Sequence, residues 1–169
     1  MKYLVIVTGV LMFGIGSAKA QLTVGQAAPD FTAASSDGRQ IHLQDILAEA
    51  PIVLYFYPKD DTPGCTKEAC SLRDDFAAFR NLKALVFGIS YDSIESHQAF
   101  IKKYHLPFAL LSDPDHTIAK LYGAEGTFGA KRMTFIVNKA GRIAWLNPSV
   151  SPATHSRELQ DALASLQTP

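Results

Sequence analysis

The run Ile52-Val-Leu-Tyr-Phe-Tyr57 is continuously apolar, β-branched or aromatic, and Pro58 ends it. A run of this kind suits a strand buried on both faces, so the fold needs a layer above it and a layer below. Cys65 and Cys70, the only two cysteines, follow shortly after. Beyond them Ala69, Leu72, Phe76 and Phe79 are spaced three and four apart, the pattern of one buried helix face. The spacing predicts a helix starting near Cys65 or Thr66. Cys65 then sits at the helix mouth and Cys70 one and a half turns further in.

The remaining elements extend this strand–turn–helix unit. Ala84 to Ser90 reads as a second buried strand, giving a parallel βαβ unit with a right-handed crossover. Leu43 to Ala50 forms a short helix. Another helix starts at Ser93, with Ser96 as a competing cap, and runs to about Tyr104, where Pro107 stops it. Phe108 to Leu111 is a short strand, and His116 to Tyr122 forms one or two helical turns. Arg132 to Val137 and Arg142 to Leu146 flank Asn138-Lys-Ala-Gly141, a β-hairpin signature. Residues 154–166 make a terminal amphipathic helix. Residues 21–40 show only a turn at Asp37-Gly38. This order predicts an α/β, thioredoxin-like fold, a central mixed β-sheet flanked by helices.

With 169 residues and a formal net charge of zero, the chain has room for one domain with a real core and lacks the charge of a strongly basic nucleic-acid binder. At the N-terminus, Lys2 precedes an apolar stretch that ends in Ser17-Ala18-Lys19-Ala20, the pattern of a secretory signal peptide. Residues 1–20 are therefore expected to be a signal peptide and residues 21–169 the folded domain. The alternative for this segment is an uncleaved anchor. Position 21 is Gln, so no lipid anchor can form on a cysteine there. Losing Lys2 and Lys19 leaves 14 basic and 16 acidic side chains, a net charge of −2. Export, with the bacterial periplasm as destination, places the two cysteines in an oxidising compartment.

The positive end of a helix and its unpaired N–H groups stabilise a thiolate, so Cys65 is expected to be the more acidic thiol. Along an ideal helix, five residues turn the side chains about 140° apart and separate the Cα atoms by roughly 8.7 Å. A disulfide needs Cα atoms within about 7 Å, so Cys65 and Cys70 can bond only if the first turns unwind. A static structural bridge would forbid the helix that the apolar spacing demands. The five histidines, His42, His97, His105, His116 and His155, lack the short-range pairing of a zinc site and read as surface or capping residues. No metal site is expected.

The run Pro58-x-x-x-Thr62-x-x-Cys65 resembles the peroxiredoxin active site, Pro-x-x-x-Thr/Ser-x-x-Cys. The longer stretch Tyr55 to Cys70 is similar to the bacterioferritin-comigratory-protein or peroxiredoxin Q subfamily. The likeness continues through Ser93-x-Glu-Ser-His97, Leu106-Pro-Phe, Leu111-Ser-Asp-Pro-Asp115 and Arg132-x-Thr-Phe.

This resemblance implies a thiol-dependent peroxidase. Cys65 would attack a hydroperoxide and become a sulfenic acid, and Cys70 would then form a transient disulfide with it. Arg132 would stabilise the charges at the sulfur and the departing oxygen, Thr62 would position the peroxide, and Pro58 would shield the site. A thioredoxin-like dithiol would reduce the disulfide. The resemblance implies no metal, flavin or haem. No nucleic-acid partner and no stable membrane association after signal cleavage are expected, and the chain is expected to be a monomer or weak dimer. Tyr91 stands where relatives often carry Pro or another residue. The alternatives are a dithiol–disulfide oxidoreductase on the same fold and a non-catalytic exported binding domain with a structural bridge.

Overall fold

Side chains alternate across a strand, so an uninterrupted apolar run must find a core on each side. The computed structural model, which describes residues 21–167, shows this arrangement. Its strands are β1 (Thr32–Ser35), β2 (Gln40–His42), β3 (Ile52–Phe56), β4 (Leu85–Ser90), β5 (Ala109–Ser112), β6 (Met133–Val137) and β7 (Ile143–Asn147). Its helices are α1 (Leu43–Leu47), α2 (Pro63–Asp74), α3 (Phe76–Asn81), α4 (Ile94–Tyr104), α5 (Thr117–Tyr122) and α6 (His155–Ser165). The strands form one seven-stranded mixed sheet in the order β2-β1-β5-β4-β3-β6-β7.

Strand β3 lies inside that sheet and is buried throughout. Ile52, Leu54 and Phe56 pack into a cluster with Leu43, Ile89, Tyr122 and Phe135. Val53, Tyr55 and Tyr57 point the other way, into a cluster that holds Cys65, Ala69, Leu72, Leu159 and Leu163. The second cluster places the N-terminal part of α2 under α6. β3 runs parallel to β4 and antiparallel to β6, with Phe56 opposite Met133. That register sets Arg132 beside the end of β3, where Pro58 begins the approach to α2.

The thioredoxin-like plan therefore holds, with several differences in detail. Thr32–Ser35 and Gln40–His42 pair around the expected Asp37-Gly38 turn as an antiparallel hairpin at the sheet edge. Their length of four and three residues gives too little alternation to read from sequence. Helix α2 begins at Pro63, a residue suited to the first helical position because its missing N–H has no partner to lose there. The Leu72–Phe76–Phe79 stripe crosses a break at Asp75, whose φ of −96° and ψ of 10° leave helical geometry and start the separate α3. Ser156 Oγ donates to Asp75 Oδ2 at 2.6 Å and ties this break to α6.

Helix α4 uses Ser93 as its cap, with Ser93 Oγ accepting the Ser96 N–H at 3.3 Å. It stops at His105, in left-handed conformation with φ of 51°, before Pro107 is reached. Among the described residues no helix is long and apolar enough to cross a membrane. The segment 1–20, read as a signal peptide, lies outside the described residues.

Candidate active site

The site begins where β3 runs out. Pro58 through Thr62 turn the chain from the sheet edge to the helix, and Thr62 takes the N-cap position with extended φ and ψ of −86° and 151°. The Thr62 hydroxyl does not cap the helix. It donates to the Lys59 carbonyl at 3.1 Å and closes the turn on itself. The N–H groups of Gly64 and Cys65 fall in the first turn, where no intrahelical acceptor exists. The Cys65 sulfur is buried at this positive end of α2.

Arg132 reaches the same point from the sheet. Its Nη2 donates to Cys65 Sγ at 3.3 Å, and its Nη1 donates to Glu68 Oε2. The planar guanidinium can serve both partners at once, which an ammonium cannot do with one fixed geometry. Burial pulls the Arg132 guanidinium down, but the charges of Glu68 and Cys65 outweigh it, so its pKa lies above the ordinary arginine value. Arg132 therefore stays cationic beside the sulfur. A cation in that place favours an anionic sulfur and any negative charge developing on a bound oxygen. Space is tight around it: a Cβ on Gly64 would lie 3.4 Å from Nη2.

Glu68 escapes a motif-based reading of the sequence. It is fully buried, with one carboxylate oxygen on Arg132 and the other 2.9 Å from His155 Nδ1. His155 Nε2 in turn lies 2.9 Å from Thr134 Oγ1. Cys65, Glu68, Ala69 and Leu72 form the buried face of α2, so Glu68 was detectable as a charge inside an apolar stripe. His155 likewise falls in line with Leu159 and Leu163 on α6.

The reading of the histidines as surface or capping groups is thus incorrect for two of them, His97 and His155, which are fully buried. Each is retained inside because a carboxylate faces it, a partner that sequence spacing does not reveal. The other three, His42, His105 and His116, do occupy helix-cap positions.

The second buried histidine secures the turn that carries Thr62. Asp60 Oδ2 accepts from His97 Nδ1 at 2.9 Å and from Ser96 Oγ at 2.8 Å, and Asp60 Oδ1 accepts from Tyr57 Oη at 2.6 Å. The Asp60 N–H donates to Asp92 Oδ2 at 2.9 Å. Burial raises the Asp60 carboxyl, but the bonds from His97, Tyr57 and Ser96 more than offset this and hold it below the ordinary carboxylate range. Asp61, at φ of 55°, accepts from Lys103 and from the Tyr104 hydroxyl, each at 2.6 Å. Helix α4 thus grips the turn at two successive residues.

Pro58 is pinned from the opposite side. Gly129 packs against its backbone so closely that a Cβ there would lie 2.4 Å from the Pro58 carbonyl oxygen. Tyr91 steadies the loop that carries Gly129: its ring stacks on His116 with centroids 3.6 Å apart, and its hydroxyl accepts the Gly126 N–H at 3.3 Å.

Of the residues singled out in the sequence, Cys65 and Arg132 are in direct contact, and Pro58 and Thr62 bound the turn beside them. Cys70 stands apart, half-buried and in the helix, and both cysteines are free thiols. An intact helix over Pro63–Asp74 holds their Cα atoms roughly 8.7 Å apart, out of bonding reach. Among the described residues no cluster of His, Cys, Asp or Glu is arranged to hold a metal ion.

A buried thiol at a helix mouth, an arginine on its sulfur and a thioredoxin-like sheet define a thiol-based peroxidase of the peroxiredoxin class. The comparisons agree. Residues 24–146 match the AhpC/TSA family model. The chain is 43% identical over 146 residues to a peroxiredoxin bcp of Coxiella burnetii, covering 82% of this chain and 96% of that one. It is 42% identical to the chloroplastic peroxiredoxin Q of Sedum lineare, covering 88% of this chain and 81% of that one. Peroxidoxin BcpB of Mycobacterium tuberculosis superposes with a TM-score of 0.83 at 30% identity, covering 88% of this chain and all of the other. The chain belongs to the AhpC/TSA family and, within it, is similar to the bcp and Q peroxiredoxins. It is a peroxidase.

Proposed function

We propose that Cys65 is the peroxidatic nucleophile and Cys70 the resolving thiol of a single-chain peroxidase cycle. The contact between Arg132 Nη2 and Cys65 Sγ carries this reading, because it joins a cation and a helix N-terminus at one sulfur. The Cys65 thiolate attacks the terminal oxygen of ROOH, the O–O bond breaks, and with one proton the products are Cys65–SOH and ROH. Arg132 stabilises the thiolate and the departing oxygen. Thr62 orients the hydroperoxide and Pro58 keeps water away from the sulfur.

The Cys70 thiol then attacks the sulfenic sulfur, forming the Cys65–Cys70 disulfide and releasing water. An external dithiol takes up the oxidation as its own disulfide and restores both thiols. The substrate class is hydrogen peroxide and organic hydroperoxides. The latter is supported by a structure neighbour from Xanthomonas campestris, 29% identical with a TM-score of 0.77, whose description concerns alkyl peroxide reduction. The chain acts as a monomer or weak dimer. Residues 1–20 direct export and are removed, and the reductant is a thioredoxin-like protein of the exported compartment.

Stopped-flow oxidation of the reduced protein by hydrogen peroxide and an alkyl hydroperoxide tests the cycle. Cys65→Ser should abolish peroxide consumption, and normal turnover by that variant would overturn the reading. Cys70→Ser should complete one rapid oxidation and stop with sulfenic or sulfinic acid on Cys65. Intact mass of the exported protein should correspond to a chain beginning at Gln21.

A further inference from the structure

The disulfide step requires α2 to unwind between its two cysteines, and Glu68 lies inside that stretch. Its carboxylate is held by two residues outside α2: Arg132, just before β6, and His155, the first residue of α6. Unwinding must pull Glu68 off both. Arg132 belongs to the chemistry at the sulfur. The contacts of His155 are instead with Glu68, Thr134 and Tyr55.

The ring of His155 is placed with care. It is fully buried, its Nε2 sits 2.9 Å from Thr134 Oγ1, and the Tyr55 ring meets it edge-on at 6.0 Å between centroids. These contacts aim Nδ1 at Glu68 Oε1, 2.9 Å away. The approach lies off the ring N–H direction, leaving both atoms without a well-aligned hydrogen bond. The contact is short, and no other hydrogen bond competes for either atom.

We propose that His155 is a positioning residue that latches Glu68, and through it the front of α2, and so sets the balance between the helical, peroxide-reactive site and the unwound, disulfide-forming one. The inference rests on the Cys65–Cys70 cycle proposed above. The latch acts on the step in which Cys65–SOH and Cys70–SH become a disulfide and water. While the latch is closed, Cys65–SOH waits within the folded site. There a second ROOH can oxidise it to the sulfinic acid, releasing ROH. Opening the latch favours the disulfide instead.

The test uses the reduced full-length protein without its signal segment, treated with one equivalent of hydrogen peroxide and then with an excess. Rapid quench with thiol alkylation and mass spectrometry gives the disulfide rate and the sulfinic yield. His155→Phe should speed disulfide formation at least five-fold and lower the sulfinic yield at least three-fold. His155→Gln, which retains an N–H donor, should recover part of both effects. Thr134→Val, which only frees the ring, should move both in the same direction by a smaller factor and serves if His155→Phe does not fold.

A control separates this role from general loosening. Leu43→Ala weakens the opposite core cluster and should leave the disulfide rate unchanged. Disulfide rates within two-fold of the unmutated protein in the folded His155 and Thr134 variants would overturn the proposal, as would equal acceleration by Leu43→Ala. Either result leaves the peroxidase reading intact, whereas peroxide turnover by Cys65→Ser removes the reading itself.

Discussion

The α-carbon of Gly129 faces the backbone of Pro58 with no room for a side chain, since a Cβ would lie 2.4 Å from the proline carbonyl oxygen and 2.8 Å from its Cα. Gly129 also has φ of 143°, a conformation other residues rarely adopt. Gly129→Ala should therefore displace the Pro58–Thr62 turn. A strained backbone position of this kind costs of order 1–3 kcal/mol. The expected outcome is a lower Tm by differential scanning calorimetry together with slower oxidation of Cys65 by hydrogen peroxide. An unchanged oxidation rate would mean that the turn tolerates the displacement.

Replacing Arg132 by Lys keeps a positive charge but loses the fork that contacts Cys65 Sγ and Glu68 together. The second-order rate of Cys65 oxidation should fall by about 10²–10³, the usual effect of removing one donor from a developing charge. Stopped-flow measurement at several peroxide concentrations checks this. A loss below ten-fold would show that charge alone suffices.

The Asp60 network gives a prediction with a defined pH sign. The folded-state pKa of Asp60 is lowered, so the ionised carboxylate adds stability above its unfolded value of 3.8, and this is lost as pH falls through the lower folded value. Asp60→Asn should cost about 1.5–3 kcal/mol at pH 7, the usual range for bonds to a charged group. The gap should narrow below pH 3.8. Urea unfolding of both proteins at pH 7 and pH 3 measures it, and an equal gap at the two values would rule the carboxylate charge out as the cause.

Ser156 offers a separate handle on α2. Ser156→Ala removes the donor to the Asp75 carboxylate, which is exposed and left with water in its place. About 1 kcal/mol of stability should be lost, with little change in the initial rate of Cys65 oxidation. Chemical denaturation and stopped-flow data on one sample would test both halves of this expectation.

Most of the sheet could be read from sequence because β3 and β4 are apolar runs too continuous to suit another role. The Cys65 end of α2 was equally legible, since Pro58, Thr62 and Cys65 lie within one short stretch. What escaped was carried by contacts between distant residues. Glu68 and His155 are 87 positions apart, and although each interrupts an apolar stripe, their pairing emerges only when α2 and α6 share a core. Asp60 and His97 likewise meet only because α4 folds over the turn. The break at Asp75 was hidden for a different reason: the apolar spacing runs on into α3, and periodicity cannot sense a local change of φ and ψ.

That break has a mechanical meaning. Behind it, Phe79 is fully buried in the core, and at it Asp75 is bonded to α6. Fraying that starts at Pro63 would meet this anchored break at the end of the twelve residues of α2. The opening that the proposed cycle requires would thus stay confined to the reactive corner and leave the rest of the architecture assembled.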